Sequence, residues 1–445
     1  MSGPSSAPGK FCALAWVHRF TNIAGQIQVC CSSEEYDNNV RDSAGQRMNI
    51  RDQLSDEQIL NSEFMKNVRV QLLKGEFPEL CRRCQITEET GGVSRRMNEN
   101  QHFAPMIADL VRGTSADGEI AVAVKSADYR LGNLCNLACR MCSPHASTPW
   151  AKYSRPMANP DGTVRFDHLS FDVEKQDWYE APGFLDYFKA QVQQLEHLHF
   201  AGGEPLINPK MEALLRHCVE LNAAKNIMLT YNTNLTRVPD AVKALWPHFR
   251  GVEIYASVDA YGALNEFIRH PTRWNDIDKN LRDLDENFDR YGLRSVEVMT
   301  TAQLYNIFQL EDLYDYLFEN MTRVNKLPKL VDLHVPTFLR SQVLPQELKS
   351  LATKRLEAVL EKSQQRMAAG LIARREAWAL ETISGAINFL HLEDRSHEMS
   401  DFLTFNKMLD QLHKKNTMDV LPELRAWLAQ KEISELKSQG PSLQL

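Results

Sequence analysis

Eight residues, Cys135-Asn-Leu-Ala-Cys139-Arg-Met-Cys142, limit this chain more than any other stretch. Thiolates prefer soft metals, so three of them so close together point to zinc, copper(I) or an iron–sulfur cluster. Structural zinc is four-coordinate and draws on paired CxxC-like knuckles or on histidine. Three cysteines instead supply three corners of a [4Fe–4S] cube. One iron is then left open, where a small ligand can bind and chemistry can occur. A zinc site made of the same cysteines and completed by His145 is the alternative.

The run follows a strand-like segment, and so placed it resembles the signature of radical S-adenosylmethionine (SAM) enzymes. The resemblance implies that Cys135, Cys139 and Cys142 hold the core cluster. It also implies that the open iron chelates the methionine part of SAM, and that one electron from the cluster cleaves SAM to a 5′-deoxyadenosyl radical. That radical abstracts a substrate hydrogen, and the electron comes from a donor such as flavodoxin or ferredoxin. Met141 departs from the pattern, since the family more often has an aromatic residue beside the adenine. Methionine is apolar and polarizable and can pack on a ring.

The 445 residues are enough for two or three domains. With 43% hydrophobic and 24% charged residues the chain reads as globular. A net charge of −7 and a pI near 6.0 leave no basic field, so a nucleic-acid partner is not expected. No stretch approaches the roughly 20 apolar residues that cross a bilayer. Residues 1–10 read as a disordered lead without a signal-peptide pattern. The expected location is cytoplasmic, where grouped cysteines bind metal rather than form disulfides.

A second cysteine set precedes the first. Cys12 and Cys30 are spaced as C-x12-G-x4-C around Gly25, Cys31 adjoins Cys30, and Cys81-Arg-Arg-Cys84 follows. The segment 25–30 alternates like a hairpin strand. A zinc ribbon shares the CxxC knuckle. The spacing resembles the twitch domain, a shortened SPASM domain that holds one auxiliary [4Fe–4S] cluster. This likeness assigns Cys12, Cys30, Cys81 and Cys84 as ligands and leaves the choice between Cys30 and Cys31 open. Most twitch domains follow the radical core; here the set precedes it, as in the N-terminal-twitch group. Gly91-Gly92-Val-Ser94-Arg95-Arg96 either holds an anionic group or forms a solvated turn.

Between 119 and 340, strand-like and helix-like segments alternate, which predicts βαβ units and a parallel sheet. Six strands are expected: from 120 to 131, and then 195–200, 227–231, 252–257, 295–301 and 330–335. The fold class is α/β. The resemblance makes it a partial (β/α)6 barrel with functional groups at the C-terminal strand ends. The expected division is a lead over 1–10, a twitch-like unit over 11–117, a radical SAM core over 118–340 and a helical region over 341–445.

Three further elements resemble the family's SAM contacts. Ala201-Gly202-Gly203-Glu204-Pro205 follows the second strand and resembles the GGEP motif, which binds the SAM amino group; its glycines permit close backbone approach. Tyr231-Asn-Thr-Asn234 resembles the strand end that faces SAM. Ala256-Ser257-Val-Asp259 resembles an S-x-D element that places Ser257 at the ribose, with Arg269 on the SAM carboxylate; Asp259 reads equally as a helix cap. The GxIxGxxE element is not recognisable, which leaves 299–306 as the candidate adenine region. Cys218 falls on an apolar helical stripe with Met211, Leu214, Leu215 and Leu221 and reads as core.

From 341 onward the pattern is helical, over 348–367, 370–392 and 402–413, with a last helix opening at Pro422 and the tail fraying. This region covers the open side of the barrel or docks a partner.

The resemblance spans roughly residues 11–340 and implies a radical SAM enzyme with one auxiliary cluster that relays an electron or serves structure. A peptide or protein is the leading substrate. Oxidoreduction of a sugar or small molecule is one alternative, and a structural zinc-binding interaction protein is the other.

Overall fold

The computed structural model describes residues 9–33, 38–89, 93–163, 165–169 and 176–438. Most of the expected lead, Gly91, Gly92 and residues 439–445 lie outside the described residues.

Among the described residues, eight strands form one sheet: β1 His18–Thr21, β2 Ile27–Gln28, β3 Ser126–Arg130, β4 His197–Ala201, β5 Met228–Thr233, β6 Gly251–Ser257, β7 Leu293–Ala302 and β8 Lys329–Asp332. Their order is β2-β1-β3-β4-β5-β6-β7-β8. Only β1 and β2 pair antiparallel; every other neighbour is parallel. The α/β class, the six core strands and the helical C-terminal region match the expectation. Two boundaries move. Ile120 exchanges hydrogen bonds with the Asn61 side chain (3.1 and 2.9 Å) instead of joining a ladder, so β3 begins at Ser126. The hairpin expected over 25–30 shrinks to the two residues of β2 and gains a partner, β1, that was not foreseen.

The sheet continues across position 117. β1 pairs with β3 in register, His18 opposite Ser126 and Phe20 opposite Asp128. The fully buried Arg69 ties the same junction, donating to the carbonyls of Gly118 (2.6 Å), Ala15 (3.0 Å) and Leu60 (2.6 Å). A single apolar core holds Phe11, Trp16, Val68 and Leu72 together with Ala127, Leu198 and Val296.

Crossover helices such as Pro209–Glu220, Trp274–Glu286 and Leu310–Asn320 connect the parallel strands. On the first of these, Met211, Leu214, Leu215 and Cys218 are buried in that core as expected, but Leu221 caps the helix and stays 37% exposed. Along the strands, residues alternate between two environments. Tyr129, Leu198, Phe200, Leu229 and Tyr231 are fully buried in the core, while their neighbours Asp128, Arg130, His199, Thr230 and Asn232 line a polar hollow.

The C-terminal helices Gln346–Ala368, Ala377–Leu392, Met399–His413 and Pro422–Ser438 build a second core. The second of them starts seven residues later than expected, because Gly370 at φ +74° ends the preceding helix and a short turn intervenes. These helices cover the β8 side, where Leu330 N donates to Thr382 Oγ1 (3.1 Å). Among the described residues, no helix is long and apolar enough to cross a membrane.

Candidate active site

The loop Cys135–Cys142 follows β3 and is pinned from three sides. Ala138 N and Arg140 N donate to the carbonyls of His270 (2.6 Å) and Ile268 (2.8 Å), so the loop lies along the end of the helix Gly262–Ile268. Trp150 Nε1 donates to the Cys139 carbonyl (3.0 Å). Arg140 is wholly buried; its guanidinium lies 3.6 Å from the Phe267 ring centroid and donates to Asn406 Oδ1 (2.7 Å) and Asp410 Oδ1 (2.6 Å). The cysteine loop is thereby tied to the C-terminal helix Met399–His413.

Cys135, Cys139 and Cys142 line a cavity of about 270 Å³. The same cavity takes Met141, Gly202, Gly203, Glu204, Asn234, Ser257 and Arg269 of the expected site, and adds Arg130, Asn232 and Thr233. Apart from Arg269, which ends the helix Gly262–Ile268, these residues come from the ends of β3 to β6 and the loops that follow them, the C-terminal rim of a parallel sheet. Pro205 opens a buried turn, Pro205–Ile207, and does not line the cavity. Asp259 is fully buried behind it, 2.8 Å from Arg269 Nε, and accepts from Thr301 N (2.9 Å). It orients the guanidinium and does not face the cavity.

The two glycines answer to the cysteine loop. Gly202 has φ +120°, and a Cβ there would lie 2.8 Å from the Gly132 carbonyl; one on Gly203 would collide with Leu134. Gly203 N and Glu204 N donate to those same carbonyls (2.9 and 2.8 Å), which makes the two loops a single platform. The Glu204 carboxylate accepts from Thr233 Oγ1 (2.8 Å), Asn234 N (2.6 Å) and Leu206 N (3.0 Å). Its role therefore includes locking the β5 strand end. Burial pushes its pKa up to about 7 against the pull of those three donors. In the expected adenine region, Asn306 spends its amide on the Asp259 and Thr301 carbonyls (both 2.8 Å).

Burial also pushes up the three thiols, Cys142 to about 12, and nearby Arg269 pulls Cys139 and Cys142 the other way. A bound metal would reverse this balance, since a coordinating thiol is deprotonated outright. The residues present fit such a group: three convergent thiols, a cavity beside them, and a guanidinium fixed from behind.

Cys12, Cys30, Cys81 and Cys84 line a second cavity, together with the apolar Leu14, Val29, Val68, Leu72 and Leu80 and with Arg83, Arg95 and Arg96. Cys31 is not among them; it lines the polar hollow and touches the Arg95 guanidinium. Gly25 (φ +81°) turns the chain where a Cβ would come within 2.8 Å of Trp178. Arg95 and Arg96 open a helix capped by Ser94, and Arg96 is held by Glu88 (2.6 Å), while Gly91 and Gly92 of the same stretch lie outside the described residues. His145 is exposed and lines neither cavity. Among the described residues, no three cysteine, histidine or carboxylate side chains crowd closely enough to hold one metal ion; each cysteine set rings a cavity instead.

Sequence reasoning missed Arg140, Trp150, Arg130 and the histidines of the polar hollow. Only the last left a signal, the alternation of His197-Leu-His199-Phe along β4.

No curated protein matches the chain. Similar solved structures include one described as native anSMEcpe with bound AdoMet and Kp18Cys peptide, at 14% identity and TM-score 0.39, covering 56% of this chain and 62% of that one. Another is Streptococcus suis SuiB bound to S-adenosylmethionine, at 16% identity and TM-score 0.36, covering 67% and 62%. The chain thus spans under two thirds of the length of either. Residues 129–317, the stretch that carries the cysteine loop, the glycine pair and Arg269, match the family described as the Radical SAM superfamily. The match takes in 189 of the 445 residues, so that stretch of the chain is similar to the radical SAM superfamily.

Proposed function

We propose that the protein is a radical SAM enzyme acting on a peptide or protein. Cys135, Cys139 and Cys142 hold the core [4Fe–4S] cluster, and Cys12, Cys30, Cys81 and Cys84 hold an auxiliary one. The supporting observation is that the three core thiols, the glycine pair, Asn234, Ser257 and Arg269 line one cavity. Arg269, held by Asp259, presents a guanidinium suited to a carboxylate. Ser257 offers a hydroxyl to a ribose, and the Gly202-Gly203-Glu204 turn offers polar groups to an amine. Glu204 keeps the β5 end in place, and Met141 gives the cavity an apolar, polarizable wall. When bound, the cluster and SAM together supply a 5′-deoxyadenosyl radical that takes a hydrogen atom from the substrate. The likeness of the N-terminal cysteine set to a twitch domain favours a peptide or protein as that substrate.

The test is iron content and EPR of anaerobically prepared protein, beside a Cys135→Ala/Cys139→Ala/Cys142→Ala variant. Roughly eight irons per chain falling to roughly four are expected, from one cubane per cysteine set. Added SAM should change the reduced wild-type spectrum and leave the variant's unchanged. Zinc in place of iron after reconstitution would overturn the reading.

A further inference from the structure

A parallel sheet covered on both faces reads as continuous apolar runs, and this one alternates instead. Its polar positions line a cavity of about 490 Å³ that shares Arg130 and Asn232 with the cavity at the core cysteines. On its far side it shares Arg95 with the cavity of the second cysteine set. The hollow therefore lies between the two.

The N-terminal segment builds one wall of it. His18 comes from β1, and Cys31, Arg95 and Glu99 come from beyond the hairpin. Beside His18 in the same sheet are Asp128 on β3 and His199 on β4, and Glu297 on β7 and Lys329 on β8 line the hollow further along. Charges in this wall are answered locally: Arg130 lies 3.1 Å from Asp128, and Arg95 lies 3.3 Å from Glu99. Burial holds the histidines neutral, His18 and His197 pushed down to about 3 and His199 to about 4. His199 Nδ1 is engaged with Thr230 Oγ1 (2.7 Å). His18 is only 3% exposed; its Nδ1 meets Ser126 Oγ (2.9 Å), and its Nε2 has no partner among the described residues.

We propose that this hollow receives the reacting part of the substrate and selects a hydrogen-bonding group, a hydroxyl or carboxamide, over an aliphatic one, with His18 Nε2 as a specificity-determining contact. The inference rests on the radical SAM reading and adds a substrate class to it. An aliphatic group entering here would strip water from Asp128 and the histidines and return no hydrogen bond. A hydroxyl or carboxamide avoids that cost. His18 belongs to the added strand, so the N-terminal segment reads the substrate as well as carrying cysteines.

The experiment uses the reconstituted full chain with SAM, a chemical reductant and blocked tripeptides N-acetyl-Gly-X-Gly-amide. X is perdeuterated serine, threonine or asparagine in one set and leucine or valine in the other. The readout is the fraction of 5′-deoxyadenosine that carries deuterium. Label is expected from the polar set only. It should fall at least tenfold in His18→Phe and stay within about threefold in His18→Gln, whose amide nitrogen can stand near Nε2. Iron content establishes that each variant is folded and loaded. Label from leucine or valine, equal label in His18→Phe, or no label from any probe while 5′-deoxyadenosine still forms would each overturn the proposal. No 5′-deoxyadenosine from wild type under any condition would overturn the enzyme reading, and the selective hollow with it.

Discussion

A methyl group on Gly203 would strike the carbonyl of Leu134, one residue before the first core cysteine. The obstacle is backbone on both sides, so relief requires moving the GGEP turn or the cysteine loop. Gly203→Ala is expected to cost about 1–3 kcal/mol, the usual range for overpacking, read as a lower urea midpoint. Core iron uptake should fall with it. Adjacent Cys30 and Cys31 separate more sharply, because they line different cavities. Cys30→Ala should bring the iron content from roughly eight to roughly four per chain, one cubane fewer, while Cys31→Ala should leave it unchanged. Equal losses in both variants would show that the two thiols exchange roles. The sequence left this choice open because adjacent residues share every spacing.

Arg140 links two elements that are distant in sequence. Its guanidinium is fully buried, and Asp410 answers its charge from the helix Met399–His413. Removing one member of a buried pair typically costs about 3–5 kcal/mol. Because Asp410 keeps some exposure, Asp410→Ala is expected near the lower end, seen as a lower Tm and as faster proteolysis within 399–438. Nothing local to Cys139-Arg140-Met141 signals this bond, since its acceptors lie some 270 residues onward. The six core strands, in contrast, were legible, because each strand-like segment and the helix-like segment that follows it are written within a few residues of one another. β1 escaped notice because His18-Arg-Phe-Thr21 carries charge where a buried strand usually carries aliphatic residues. Its histidine and arginine are buried by tertiary partners, the former by Ser126 and the latter by Asp56 and the Tyr187 ring.

Among the described residues, six histidines share one property. His18, His168, His197, His199, His270 and His413 all have pKa values pushed down by burial to between about 3 and about 4. An unfolded chain takes up these protons near pH 6.5, while the folded chain refuses them until far lower. Their contribution to stability is present above pH 6.5 and is lost as pH falls toward 4. Glu204 and Asp332, raised by burial to about 7 and about 6, act in the opposite sense, as do Asp56, Glu297, Asp312 and Glu376, which burial raises less. The metal-free protein should therefore melt at a lower temperature at pH 5 than at pH 7.5. His413→Phe, which keeps a ring stacked on His270 (3.9 Å), should narrow that difference.

The pairing of β1 with β3 also sets a timetable. His18 and its partner Ser126 are 108 residues apart. At a synthesis rate of about 5–20 residues per second, the hairpin leaves the ribosome roughly 5–20 s before the strand that closes its edge. Through that interval β1 presents unpaired amides and carbonyls to any other chain, which is the known hazard of an open edge. The cysteines Cys12 and Cys30 emerge early with it, so the newborn N-terminus needs protection both as a strand and as a pair of thiols before the sheet exists to hold either.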